Sequence, residues 1–162
     1  MLKICLVLIL LSIIFISISL STNEWTTSNN NNLNYEQGLW KICGNLNIPT
    51  FKNNFKDINI GGCSEYKTIS NSLKAIRVMS ILSLIFLIIS FIKLIYFPKY
   101  KIYAIIDLIL CVILTISSCS IWSSNKDLLL DGTSLGYSWY LELISGVLLL
   151  FPIIYLIMKL ND

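Results

Sequence analysis

Long apolar runs separated by polar stretches dominate this chain. Four runs, at residues 4–20, 78–97, 102–122 and 139–158, are rich in Leu, Ile, Val and Phe and show no two-residue alternation. Each approaches the roughly 20 residues an α-helix needs to cross about 30 Å of hydrocarbon at about 1.5 Å per residue. Only helices and closed barrels satisfy their backbone groups within lipid, and barrel strands would alternate. The pattern therefore predicts four transmembrane helices. Their interruptions are few: serines in the first run, Lys93 near the end of the second, Asp107 in the third, and Glu142 and Pro152 in the fourth. The serines can bond back to their own helix backbone.

The links differ in length and polarity. Residues 21–77 are polar and include an asparagine run at 29–32, whereas the second link is only Pro98, Lys99, Tyr100 and Lys101. The third, residues 123–138, carries Lys126, Asp127 and Asp131. Positive charge in short loops marks the cytoplasmic side. Lys99 and Lys101, with Lys3 and Lys159 near the ends, place both termini in the cytoplasm and the loops 21–77 and 123–138 outside. A rival for the first run is a cleaved signal peptide, because Lys3, the apolar stretch and Ser19-x-Ser21 also fit that layout.

Composition narrows the class. Only 13% of residues are charged and 56% are hydrophobic, against about 25% charged in an ordinary soluble domain. That charge is too sparse to cover a water-facing surface. A net charge of +3 with abundant Ile and Leu excludes disorder. Scattered lysines and a single arginine, Arg77, give no footprint for nucleic acid. Histidine is absent, which removes the commonest metal ligand and general base. With no nucleophile–base pairing, phosphate-cradling loop or acidic cluster in the outer loops, neither an enzyme nor a cofactor is expected. No span is interrupted by Gly/Pro clusters and no inverted repeat is visible, which argues against a transporter.

Cys43 and Cys63 lie in the long outer loop, while Cys5, Cys111 and Cys119 fall within spans. An exported loop sits in an oxidising compartment, so a Cys43–Cys63 bridge is the expected pairing. Two free thiols, or a bond to another chain, are the alternatives. Closing such a loop restricts the unfolded chain by about 3 kcal/mol on the chain-entropy account. A zinc site would need more ligands than the loop offers.

Just upstream stand Gly38, Leu39 and Trp40, so the loop reads Gly-Leu-Trp-x-x-Cys, with Trp25 soon after the first span. Trp25 alone fits an interfacial anchor and Trp40 alone fits ordinary packing. Together, the order Trp … Gly-Leu-Trp-x-x-Cys … Cys on a four-span chain resembles the claudin, epithelial membrane protein and peripheral myelin protein superfamily. Leu73-Lys74-Ala75-Ile76-Arg77-Val78-Met79 resembles the claudin run into the second helix, with Lys74 where glutamine is usual. Gly136-Tyr137-Ser138-Trp139 resembles the approach to the last helix in epithelial membrane proteins and calcium-channel gamma subunits.

The resemblance implies an all-α membrane protein with a small β element. Its single domain, residues 1–162, would be a four-transmembrane-helix bundle capped by an extracellular antiparallel sheet built mostly from the first outer loop. It also implies that the first span is retained. Arg77 would tie the sheet to the bundle through backbone carbonyls or an acidic loop residue; a solvated charge at the helix start is the alternative. Some features depart from the pattern. The two cysteines are more widely spaced than in claudins, and Ser64, followed by Glu65, stands where some cation-selective claudins carry an acid. Asp162 cannot serve as the hydrophobic terminal residue that scaffold proteins capture, which favours the epithelial membrane protein side. The loop has no Asn-x-Ser/Thr acceptor, so N-glycosylation is not expected.

Two functions follow from the resemblance. One is a structural role at cell–cell contacts or junctions of the plasma membrane, with lateral and trans association through the outer sheet. The other is an auxiliary subunit that modulates trafficking or gating of a channel or receptor. The expected partners are the lipid bilayer, the protein itself or related four-span proteins, or such a channel or receptor.

Three further groups stand out. Lys93 and Asp107 lie equally far along the chain from Tyr100, so antiparallel helices would bring them to similar depth as an ion pair; the alternative is Lys93 snorkelling and Asp107 meeting interfacial water. Glu142, near the start of the last run, is expected to reach the outer interface. Phe51, Phe55 and Ile58 share one face of a helix that Pro49 would start, with Lys52 and Lys56 beside it. That face either packs on the sheet or forms an exposed contact ridge.

Overall fold

The computed structural model describes residues 2–30, 33–45, 62–66, 69–97, 99, 101–125 and 134–160. Pro49, Phe51, Phe55 and Ile58 lie outside the described residues, as do Lys52, Lys56, Lys126, Asp127 and Asp131. The described helices are α1 (Leu2–Ser21), α2 (Asn71–Tyr96), α3 (Lys101–Ser124), α4 (Tyr137–Leu148) and α5 (Leu150–Met158). They make four spans long and apolar enough to cross a membrane, the last being Tyr137–Met158. α2 packs on α1 and α3, and α4 likewise packs on α1 and α3. The spans therefore form a ring in which α2 and α4 face each other across the bundle axis.

Two helix boundaries differ from the apolar runs. α2 begins at Asn71, well ahead of residue 78, because the Ser70 side chain caps it by accepting from the Leu73 backbone N–H at 3.2 Å. Hydropathy detects only the part of a helix that must sit in lipid, whereas the cap sets where it starts. The last run is not one unbroken helix: it is interrupted at Leu149, between α4 and α5. Pro152 has no N–H to give the Leu148 carbonyl four residues earlier, and its ring crowds that carbonyl.

Buried positions recur every three or four residues on each span. On α1 they are Cys5, Ile9, Ser12, Ile16 and Ser19; on α2 they are Leu73, Ile76, Ser80, Ser83, Leu87, Ser90 and Leu94. The opposite faces expose Val7, Leu10 and Ile14, or Ile81, Ile85 and Ile92. Lipid is as apolar as leucine, so close packing of small residues and interhelical hydrogen bonds must hold such helices together. The serines show this directly. Ser17 does bond back to its own helix, donating to Ile13 O at 2.7 Å. Ser12 instead donates to Ser145 O on α4 at 3.2 Å, and Ser90 to Ala104 O on α3 at 3.0 Å. Between these polar contacts lies an apolar core that includes Ile9, Ile16, Leu87, Leu108 and Leu149.

The sheet sits at the end of the bundle where α1 finishes and α2 starts. Its strands are β1 (Thr26–Asn30), β2 (Leu33–Gln37), β3 (Lys41–Asn45), β4 (Gly62–Glu65) and β5 (Ser134–Leu135). They are antiparallel in the order β4-β3-β2-β1-β5. Among the described residues, four strands come from the loop between α1 and α2. The fifth comes from the loop before α4 and pairs Thr26 with Leu135 and Thr27 with Ser134.

Candidate functional site

The sheet is joined to the bundle through the short segment from Thr22 to Trp25, and most of the singled-out residues converge there. Trp25 is fully buried, donates from Nε1 to Ser19 O at 2.9 Å, and packs on Trp122 with ring centroids 4.9 Å apart. The Trp122 Nε1 in turn donates to Thr26 Oγ1 at 2.9 Å. Each indole thus buries an apolar body and satisfies its polar atom, one on the helix end and one on the first strand. Leu39, Leu73 and Ile76 complete this cluster. Trp25 is therefore a core residue that seats the sheet on the bundle.

Two glycines close on the same segment. A Cβ at Gly38 would lie 2.4 Å from Asn23 Cα, and one at Gly136 would lie 2.0 Å from Glu24 O. The backbones around them pair where side chains could not fit: Trp25 N–H donates to Gln37 O, next to Gly38, at 3.0 Å, Gly136 N–H to Trp25 O at 2.9 Å, and Ser138 N–H to Glu24 O at 3.1 Å. Burial, with repulsion from Glu36 adding to it, pushes the Glu24 carboxyl above its ordinary range.

Trp40 and Arg77 hold the outer side of this joint. Trp40 is 39% exposed, yet its Nε1 donates to Leu20 O at 2.6 Å at the end of α1. Arg77 donates from Nε to Leu39 O at 2.8 Å, with its guanidinium carbon 4.7 Å from the Trp40 ring centroid and 5.6 Å from that of Tyr66. A planar guanidinium suits such a position, since it can stack on rings and donate in plane. Tyr66 closes the loop by donating to Gly38 O at 2.7 Å. One carbonyl and two aromatic rings thus contact Arg77.

Cys43 and Cys63 stand directly opposite each other on β3 and β4 and form a disulfide. The bridge fastens β4, the last strand on that side among the described residues, to the rest of the sheet.

A sequence model of the PMP-22/EMP/MP20/Claudin family matches residues 1–152. The chain belongs to this family. A comparison with curated protein sequences gives no match. As a claudin-like membrane protein, the chain has the four apolar helices, the small antiparallel sheet and the loop disulfide of that fold.

At the other end of the claudin-like bundle, Lys93 Nζ lies 2.6 Å from Asp107 Oδ2, with side chains 30% and 12% exposed. Removing one partner would strand the other charge in a poor solvent at a cost of about 1–3 kcal/mol, below the fully buried case because Lys93 keeps some exposure. Lys93→Leu and Asp107→Leu should each lower surface expression severalfold. The double variant should recover most of it, as measured by surface biotinylation. No recovery would remove the pair from the account of stability.

Glu142 departs from the interface position expected of it. It is fully buried, and its carboxylate accepts from Ser19 at 2.9 Å, Ser80 at 2.5 Å and Ser118 at 2.7 Å. Depth along one helix placed it near the boundary, but the helix face it occupies points it into the bundle. Trp122, Tyr66 and the close approach at Gly136 are likewise recognised only once the elements meet. Of these, Gly136 carried some signal, because a glycine directly before an apolar helix is a candidate for close backbone approach.

Proposed function

We propose that this family member is a structural protein of plasma-membrane contacts. The sheet lies outside the cell, both termini lie in the cytoplasm, and neighbouring molecules associate through the sheet, side by side and across apposed membranes. Lys99 and Lys101 in the short link between α2 and α3 support that orientation.

The observation that carries the reading is the joint between sheet and bundle. Trp25, Gly38, Trp40, Arg77 and Gly136 fix the base of the sheet, and Cys43–Cys63 fixes its far side. A sheet held as one body with its helices pays little ordering cost on association. Among the described residues no strand pairs with the outer side of β4, and such an edge is a template for backbone hydrogen bonding with a neighbour. Lys93 and Asp107 have a structural role in this reading.

The test is a mixed culture of tagged expressing and non-expressing cells, with the surface protein labelled. Enrichment at boundaries between two expressing cells, and not at mixed boundaries, is the expected result. Equal signal at both boundaries would sink the adhesive reading. A signal that then redistributes when a channel or receptor is co-expressed would favour the auxiliary-subunit alternative.

A further inference from the structure

The Glu142 carboxylate touches every other span of the bundle. Its Oε2 accepts from Ser19 on α1, and its Oε1 accepts from Ser80 on α2 and Ser118 on α3. All three serines are fully buried. Ser80 is the telling partner, because α2 and α4 are diagonal in the ring and the glutamate reaches it across the bundle axis. Beside the carboxylate, Ser12 on α1 donates to the Ser145 backbone O, a further link between α1 and α4, while the Ser145 hydroxyl donates to the Glu142 backbone O of its own helix at 2.6 Å. Among the described residues, no Lys or Arg forms a salt bridge with this carboxylate.

Apolar side chains in lipid give a helix little reason to choose one rotation or depth over another. A carboxylate left facing lipid is costly, whereas one captured by three hydroxyls is satisfied. In the structure those hydroxyls converge on Glu142 at one depth and one rotation of α4. We propose that Glu142 is the docking key of the last helix: its capture by Ser19, Ser80 and Ser118 selects the register in which α4 closes the bundle. A single polar group specifying register among apolar neighbours is the best-attested use of such buried groups.

The native thiols offer a readout in the full-length chain. Cys111 and Cys119 on α3 are buried, and Cys119 Sγ lies 3.9 Å from Trp139 O on α4. With α4 docked they should react slowly with a membrane-permeant maleimide; with α4 inserted but undocked they should react quickly. The inference predicts that Glu142→Leu raises their labelling rate at least tenfold in native membranes, with protease mapping still reporting four inserted spans. Glu142→Gln, which keeps an oxygen acceptor and adds donors the serine oxygens can accept, should stay within about threefold of the unaltered chain. Wild-type protection in Glu142→Leu would overturn the proposal, as would equally fast labelling of the Leu and Gln variants. If Glu142→Leu is degraded before it can be labelled, the deciding variant combines it with Ser19→Ala, Ser80→Ala and Ser118→Ala. Full protection in that variant, with all four groups of the key replaced by apolar ones, would show that the register does not need it and would overturn the idea. Persistent fast labelling would uphold it.

Discussion

Gly136→Ala is expected to leave almost no correctly folded protein at the cell surface. The new methyl carbon would sit 2.0 Å from Glu24 O and 2.6 Å from Glu24 C, both backbone atoms with no rotamer to yield. Relief would require the β5–α4 corner to back away from the Thr22–Trp25 segment. That motion breaks the Gly136 N–H to Trp25 O and Ser138 N–H to Glu24 O bonds. The segment cannot retreat instead, because β2 and β5 flank β1 and Gly38 closes on it from the β2 side. Two lost backbone bonds and an overpacked contact together cost on the order of 3–5 kcal/mol, a large share of a typical domain's stability. Gly38→Ala should behave alike, its Cβ falling 2.4 Å from Asn23 Cα. Gly146→Ala is the control: its Cβ would meet only the Thr115 side chain, at 3.3 Å, and should cost less than about 1 kcal/mol. Surface labelling, with thermal melts in detergent, separates the three. A Gly136→Ala chain that melts and traffics like Gly146→Ala would refute this account of the joint.

If the proposed contact role holds, Cys43→Ser and Cys63→Ser should each abolish enrichment at contacts between expressing cells while leaving the helices inserted. The bridge joins opposite residues of β3 and β4. Losing it releases about 3 kcal/mol of loop-closure restraint on the unfolded segment. A few strands are marginal without packing support, and the Trp25–Trp122 cluster lies at the start of β1, whereas β4 reaches it only through Tyr66, just past its end. The damage should therefore be polarised. β4 and the far edge should become sensitive to protease, while the joint at Trp25, Gly38 and Arg77 remains. The double variant should match the single ones, which would show that the missing bond, and not the free thiol left behind, causes the loss. Mixed-culture imaging measures the contact signal, and limited proteolysis measures the sheet. Undiminished contact enrichment in all three variants would remove the disulfide from the mechanism of adhesion.

Several parts of this molecule are local properties and could be read along the chain. A span must satisfy its backbone within lipid, so each apolar run declares itself by length alone, and four runs imply four spans. The loop cysteines, Trp25 and Gly-Leu-Trp-x-x-Cys lie in one polar segment, where the order of residue types already marks the family. The start of α2 was not among them: hydropathy begins the run at residue 78, and the Ser70 cap that starts the helix at Asn71 is seen only in the structure.

Other features depend on which surfaces meet, and no property of one segment reports that. The serines of α1 look alike in sequence, yet Ser17 serves its own helix while Ser12 and Ser19 reach α4. Glu142 lies near the start of an apolar run, where a carboxylate can equally well turn toward water. Only the rotation of α4 in the ring aims it at serines of three other helices. Gly136 is one glycine among seven, and it becomes irreplaceable because a strand from a distant loop brings it against the Glu24 carbonyl. Hydropathy and motif order thus determined the membrane class, the number of spans and the family. Tertiary structure decided the roles of Glu142, Ser12, Ser19 and Gly136, because hydrogen bonds and steric exclusion act between surfaces that the chain brings together only by folding.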